Sequence, residues 1–350
     1  MNLLLKNVCI ITADEKGTVI NDGSIGIKGK LIDYVGKYYS GIEDKYKRVL
    51  NLTGKAAMPG FVNTHNHSAM TMFRNYADDM KLMDWLFNKI FPLEDKLTEE
   101  GAYWASSLGL LEMIKSGTTA FCDMYMFMDK TAEAVIQSGM KAALGRGLQG
   151  DSKDDMDYRL KESLDLYNNF HGSNGGRIRV NLAPHSVYTC TPAYLEKVAR
   201  TASDIKCEVQ IHLSETDDEV NQCIDKYNLT PIEIADKAGL LNCKTIAAHC
   251  VAVNEQDIDI LMRRGVNVVH NPNSNMKLGS GMAPIKRMID LGINVALGTD
   301  GASSNNNLDM LKEMRIAAYL QKAVLRDPTV INADQVIRMA TSNGAKALGF

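Results

Sequence analysis

The rhythm of apolar positions changes once along the chain, at Met58-Pro59-Gly60. Before that point, Leu3 to Thr12 is dense in Leu, Val and Ile. Ser24-Ile25-Gly26-Ile27-Lys28 alternates with the period of a strand, and Gly29-Lys30 turns the chain into Leu31-Ile32-Asp33-Tyr34-Val35-Gly36. Short strands joined by tight turns predict that residues 1–57 form part of a small β-sandwich.

From Phe61 onward, short apolar runs alternate with longer helical patterns. The runs lie at 61–67, 118–124, 141–147, 177–184, 207–213, 244–250, 266–271 and 293–299. Helical patterns fill most gaps, among them 99–116, stopped at Gly117, and 308–325, stopped before Asp327-Pro328. Regular β–α alternation predicts a parallel sheet, and eight repeats predict closure. The expected fold is therefore α/β, with a (β/α)8 TIM barrel over residues 58–350.

The polar residues fall at the C-terminal ends of these predicted strands. His65 and His67 end the first, Asp123 the second and Arg146 the third, and His185 follows the fourth. His212, His249, His270 and Asp300 close the remaining four. In a closed barrel these ends share one face, the face that carries active sites. A single histidine is more often a satisfied core or surface residue. Six of the seven histidines at equivalent positions predict a common site, with His171 outside it.

His65-Asn66-His67 is the sharpest local signal, because alternation along a strand turns both imidazoles to one side. With His212 as a third nitrogen donor and Asp300 as a carboxylate, the set suits Zn²⁺, with Fe²⁺ as the alternative. Asp300 lies between Gly298 and Gly301, which permit close approach. Glu215, three residues beyond His212, is expected to handle a proton rather than bind the metal, and His249 to orient water. Asp300 is the candidate acceptor of that water's proton. A bound metal lowers the pKa of coordinated water towards ~7. The fourth predicted strand ends Asn181-Leu182-Ala183-Pro184-His185 with no lysine to bridge two metals, so one ion is expected.

Composition narrows the function without locating it. Of 350 residues, 39 are Lys or Arg and 42 are Asp or Glu, a net charge of −3. That balance predicts no nucleic-acid partner and no basic membrane anchor. No apolar run approaches the ~20 residues of a membrane helix, and the N-terminus lacks a basic segment before an apolar one. Seven scattered cysteines form no C-x-x-C pair, which fits reduced thiols and a cytoplasmic location. Nothing here decides between a monomer and a homo-oligomer.

Pro59-Gly60-Phe61-Val62-Asn63-Thr64-His65-Asn66-His67, followed by His212, His249 and Asp300, resembles the amidohydrolase superfamily. Within it, the chain is most similar to the 5′-methylthioadenosine/S-adenosylhomocysteine deaminase group, related to triazine hydrolases. Residues 76–86, Phe91-Pro92-Leu93-Glu94, 271–281 and 298–310 carry that likeness. The resemblance implies metal ligands His65, His67, His212 and Asp300, and proton transfer by Glu215 and His249. It also implies that Glu94 holds ribose hydroxyls, Arg146 binds an amino-acid carboxylate with Arg159 assisting, His185 contacts the nucleoside and Trp85 walls the pocket.

The implied reaction is hydrolytic deamination at purine C6 of a small nucleoside. Rival readings are the same machinery on guanine, cytosine or a triazine, and a catalytically silent relative. The group closes its sandwich with strands from both chain ends. Because this chain stops at Phe350, the resemblance implies that the closing strands lie outside these 350 residues.

Overall fold

A computed structural model describes residues 2–150 and 153–350, with side chains of 153–157 left aside. The chain forms two compact units, Met1–Gly60 and Phe61–Phe350.

The first unit is a five-stranded sheet. Its strands are β1 (Asn2–Ile11), β2 (Val19–Lys28), β3 (Leu31–Lys37), β4 (Arg48–Asn51) and β5 (Ala56–Ala57). They run in the order β3-β2-β1-β4, with β5 also on β1. Gly29, at φ 62°, makes the tight β2–β3 turn expected of Gly29-Lys30. Leu4, Ile42 and Tyr46 form its small core. Gly26 is required there, since a Cβ would lie 1.9 Å from the Tyr46 hydroxyl.

The second unit carries nine strand segments. They are β6 (Phe61–Asn63), β7 (Thr118–Tyr125), β8 (Lys141–Leu148), β9 (Ile178–Val180), β10 (Ala183–Pro184), β11 (Val209–Leu213), β12 (Thr245–His249), β13 (Asn267–His270) and β14 (Val295–Leu297). All neighbouring pairs are parallel. Backbone bonds join the two arcs. Leu182 N–H donates to Glu208 (3.0 Å) and Gln210 N–H to Leu182 (3.0 Å), while Thr64 N–H donates to Leu297 (2.9 Å) on the opposite side. The ring is thus closed, and no open edge is left in this sheet.

Two elements differ from the pattern-based expectation. The run 177–184 is not one strand: it breaks at Asn181-Leu182, so β9 and β10 together supply the fourth position. The first strand stops at Asn63 rather than at His67, and the two histidines belong to the loop that follows. The helix Glu99–Lys115 begins at Thr98, whose side chain accepts from Gly101 N–H, and ends before Gly117 at φ 95°.

Val62, Ala120, Cys122, Ala143, Ile246 and Val269 meet in one buried cluster supplied by five different strands. Such layers of inward side chains fill a barrel interior and leave its C-terminal mouth as the place for chemistry. Among the described residues, no helix is long and apolar enough to cross a membrane.

Candidate active site

Four donors converge at the mouth. His67 Nδ1–H donates to the Met124 carbonyl (2.6 Å) and His212 Nδ1–H to the His185 carbonyl (2.7 Å). Each bond engages Nδ1 and turns Nε2 into the site, where the two Nε2 atoms face one another at 3.3 Å. Asp300 Oδ1 lies 3.4 Å from His65 Nε2 and 3.2 Å from His67 Nε2. Two ligands ~2.1 Å from a common tetrahedral ion lie ~3.4 Å apart, so these separations are those of ligands sharing one metal. His65 Nε2 is buried with no hydrogen-bond partner, which suits it to be a metal ligand. The donor set fits a divalent metal ion.

Burial and the Asp300 carboxylate act on the histidines in opposite directions. Burial lowers His65 to about 4 and His212 well below its ordinary value. Burial acts on His67 too, but the Asp300 carboxylate outweighs it and raises His67 to about 9. Against burial, His65 and His67 hold Asp300 well below the usual carboxylate range.

The supporting bonds are dense. Asp300 Oδ2 accepts from Ser274 Oγ (2.6 Å) and Ser304 Oγ (3.0 Å), and Oδ1 accepts from Gly301 N–H (2.8 Å). Asp300 N–H donates to the His65 carbonyl at 3.0 Å. This approach needs glycine: a Cβ on Gly298 would lie 2.8 Å from the His65 backbone, and one on Gly301 2.6 Å from Met70 Sδ. Ser214 (φ 50°), His249 (φ 74°) and Asp300 (φ 60°) all adopt left-handed backbone at or just past strand ends. Such strain persists where surrounding bonds over-determine it.

Glu215 and His249 form a second layer. Glu215 Oε2 is 3.7 Å from His249 Nε2, and its Oε1 accepts from Ser280 Oγ at 3.4 Å. Burial raises the Glu215 carboxyl. Asn275 Oδ1 accepts from His249 Nδ1 at 2.8 Å, which turns Nε2 towards Glu215. Glu219 accepts from the backbone N–H of Ser214 (3.3 Å) and of Glu215 (2.6 Å) and so fixes the turn that carries Glu215.

A cavity of about 290 Å³ opens over these groups. His67, His212, His249, Glu215 and Asp300 lie in its lining, together with Trp85, Glu94, Arg146, Arg159 and His185. His65, outside that lining, lies with His67 and His212 in a group that could hold a metal ion. Arg146 donates from Nε to Glu162 (2.8 Å) and from Nη1 to the Gly147 carbonyl (2.6 Å). Arg159 Nη1 donates to the Gln149 carbonyl at 2.8 Å. His185 Nδ1 lies 3.0 Å from Thr189 Oγ1, and burial pushes its imidazole down to about 3. Glu94 is raised by burial.

Two sequence expectations need correction. His270, at the end of β13, is not in the cavity lining and belongs to no metal-capable group among the described residues. Both its ring nitrogens are buried without partners. Nor do His65 and His67 converge through strand pleating: they lie beyond β6, with ring planes crossing at 86°.

The amidohydrolase family profile matches residues 56–350. The chain belongs to the amidohydrolase family. It is 45% identical over 350 residues to a 5-methylthioadenosine/S-adenosylhomocysteine deaminase of Dictyoglomus turgidum, covering 100% of this chain and 81% of that one. It is 46% identical to the protein of the same name from Caldicellulosiruptor saccharolyticus, covering 99% and 80%. A solved structure of an adenosine deaminase from Xanthomonas campestris, with bound zinc, superposes with a TM-score of 0.94 at 33% identity, covering 100% and 80%.

Several supports of this amidohydrolase site escaped sequence reasoning. Ser274 and Asn275 stood in a stretch noted for its likeness, without a role. Ser304 and Glu219 carried no signal beyond ordinary helix-start composition. Asp123 was noted only as a strand end. In the structure it is buried and raised to about 6, and it accepts from both the backbone N–H and the hydroxyl of Ser68, next to His67.

Proposed function

We propose that this amidohydrolase hydrolyses the 6-amino group of adenine nucleosides, taking 5′-methylthioadenosine and S-adenosylhomocysteine to their inosine analogues and ammonia. One observation carries the reading. A single cavity is lined by His67, His212 and Asp300 of the donor set, by Glu215, and by Glu94, Arg146 and Arg159. A ribose diol suits Glu94 as an acceptor, and an amino-acid carboxylate suits a guanidinium fork. The relatives' names and their identity over the whole chain support the same substrates.

His65, His67, His212 and Asp300 would hold the ion, for which we assign zinc over Fe²⁺ on the three-imidazole, one-carboxylate donor set. A metal held there supplies an acidified water and a Lewis acid next to the purine C6. The chain's own groups do the rest. Glu215, whose carboxyl burial favours in the protonated form, gives its proton to purine N1 as water adds to C6. Asp300, held ionised, is placed to take a proton from that water. Two carboxyls with opposed tendencies within one site divide the acid and base roles. His249 Nε2, aimed by Asn275, orients the attacking water, and proton return to the amino group releases ammonia as C6 becomes a carbonyl. His185 and Trp85 flank the nucleoside.

The test is a substrate panel on metal-loaded protein, following loss of adenine absorbance and release of ammonia. Turnover of both adenosine derivatives is expected. Turnover of guanine, cytosine or a triazine with none of either adenosine derivative would overturn the assignment.

A further inference from the structure

Arg146 faces two cavities. It lines the catalytic cavity beside Glu94 and His185, and it lines a neighbouring one of about 440 Å³ whose wall carries Glu99, Asp129, Glu162 and Asp165. Its Nε is engaged by Glu162 Oε2 at 2.8 Å and its Nη1 by the Gly147 carbonyl at 2.6 Å. Arg146 is largely enclosed, with 15% of its side chain exposed, whereas Glu162 is at 36%. Glu162 stands on the helix Lys153–Phe170, not on the barrel floor.

We infer that Glu162 sets the preference between nucleosides with a carboxylate tail and those with a neutral one, by competing with the substrate for Arg146. This rests on the deaminase reading above. A guanidinium pairs with a carboxylate through two parallel N–H donors along one edge. Glu162 already occupies the Nε donor. A substrate carboxylate reaching Arg146 must displace Glu162 from that donor or bind beside a like charge. A methylthio tail meets neither cost. Glu162 is a specificity-determining residue that acts through Arg146 and leaves the reacting atoms untouched.

The test compares kcat/KM for S-adenosylhomocysteine and for 5′-methylthioadenosine in metal-loaded wild type, Glu162→Gln and Glu162→Ala. The ratio of the two values is independent of the fraction of active protein. It is expected to rise about fivefold in both variants, the upper range for a partly exposed ion pair, through a lower KM for S-adenosylhomocysteine. A ratio that stays at the wild-type value, or that falls because Glu162 serves only to orient Arg146, would overturn the inference. Wild-type protein that turns over neither nucleoside overturns the deaminase reading instead, and this inference with it.

Discussion

The floor and the wall of the catalytic cavity are built to different standards. At the floor, His67, His212, Asp300 and His249 each have a partner that fixes direction: backbone carbonyls for His67 and His212, two hydroxyls and an N–H for Asp300, Asn275 for His249. The backbone there accepts left-handed conformations at non-glycine residues. On the wall, Arg146 and Arg159 are held by backbone carbonyls and, for Arg146, by one half-exposed glutamate. A reaction common to a family needs ligands placed to within a fraction of an ångström. Recognition of a substrate tail tolerates groups that can exchange partners.

The largest effect that would break this contrast concerns the floor. His212→Ala is expected to lose stoichiometric metal, measured by elemental analysis, and to lower kcat/KM by far more than the ~100-fold that loss of an outer partner costs. Retention of metal with near-normal turnover would show the floor to be redundant. On the wall, Arg146→Ala should raise KM for S-adenosylhomocysteine by about 10- to 100-fold, as expected for a charged hydrogen bond of roughly 1.5–3 kcal/mol. The effect on 5′-methylthioadenosine should be much smaller, and equal losses for both substrates would refute the assigned role. Ser274→Ala tests the support beneath the floor: a drop of about tenfold in metal affinity is expected, read by competition with a chelator.

A separate effect, on stability and not on activity, lies outside the cavity lining. Glu313 accepts from Asn273 and Asn305, but burial raises it to about 7. Unfolded, it releases its proton near the ordinary value of 4.5; folded, it keeps that proton to about 7. Between those values the folded chain binds more protons than the unfolded one, so stability falls as pH rises. The loss is about 2–4 kcal/mol across that window. Glu313→Gln should flatten the fall in Tm between pH 5 and 7; an unaltered slope would remove Glu313 as its source.

The contrast also marks what the sequence made legible. The barrel followed from strand–helix alternation, and the ligands from polar residues gathered at strand ends, because both depend on periodicity and position. The reason His65 and His67 meet did not follow, since β6 ends at Asn63 and loop geometry carries them. His270 obeyed the same positional rule and yet lies outside the lining, because position at a strand end does not determine which way a side chain turns. Ser274, Ser304, Asn275 and Glu219 went unassigned because their roles arise from bonds between separate elements. The Ser274–Asp300 bond, for instance, spans 26 residues. Trp85, Glu94 and Arg159 were named through family likeness alone, as single side chains on loops and helices have no period to betray them, whereas Arg146 and His185 showed as strand-end positions and took only their roles from the likeness.

In the proposed reaction, a metal-binding floor and an adjacent carboxyl proton donor act together on one substrate. Glu215→Gln separates them, since Glu215 lies outside the His65, His67, His212 and Asp300 donor set. Metal content and ammonia release should be measured on the same preparations of wild type and variant. The account predicts equal metal per chain, with kcat for 5′-methylthioadenosine reduced by about 10²- to 10⁴-fold in the variant. Wild-type kcat in Glu215→Gln, or an activity loss that tracks loss of metal, would contradict it.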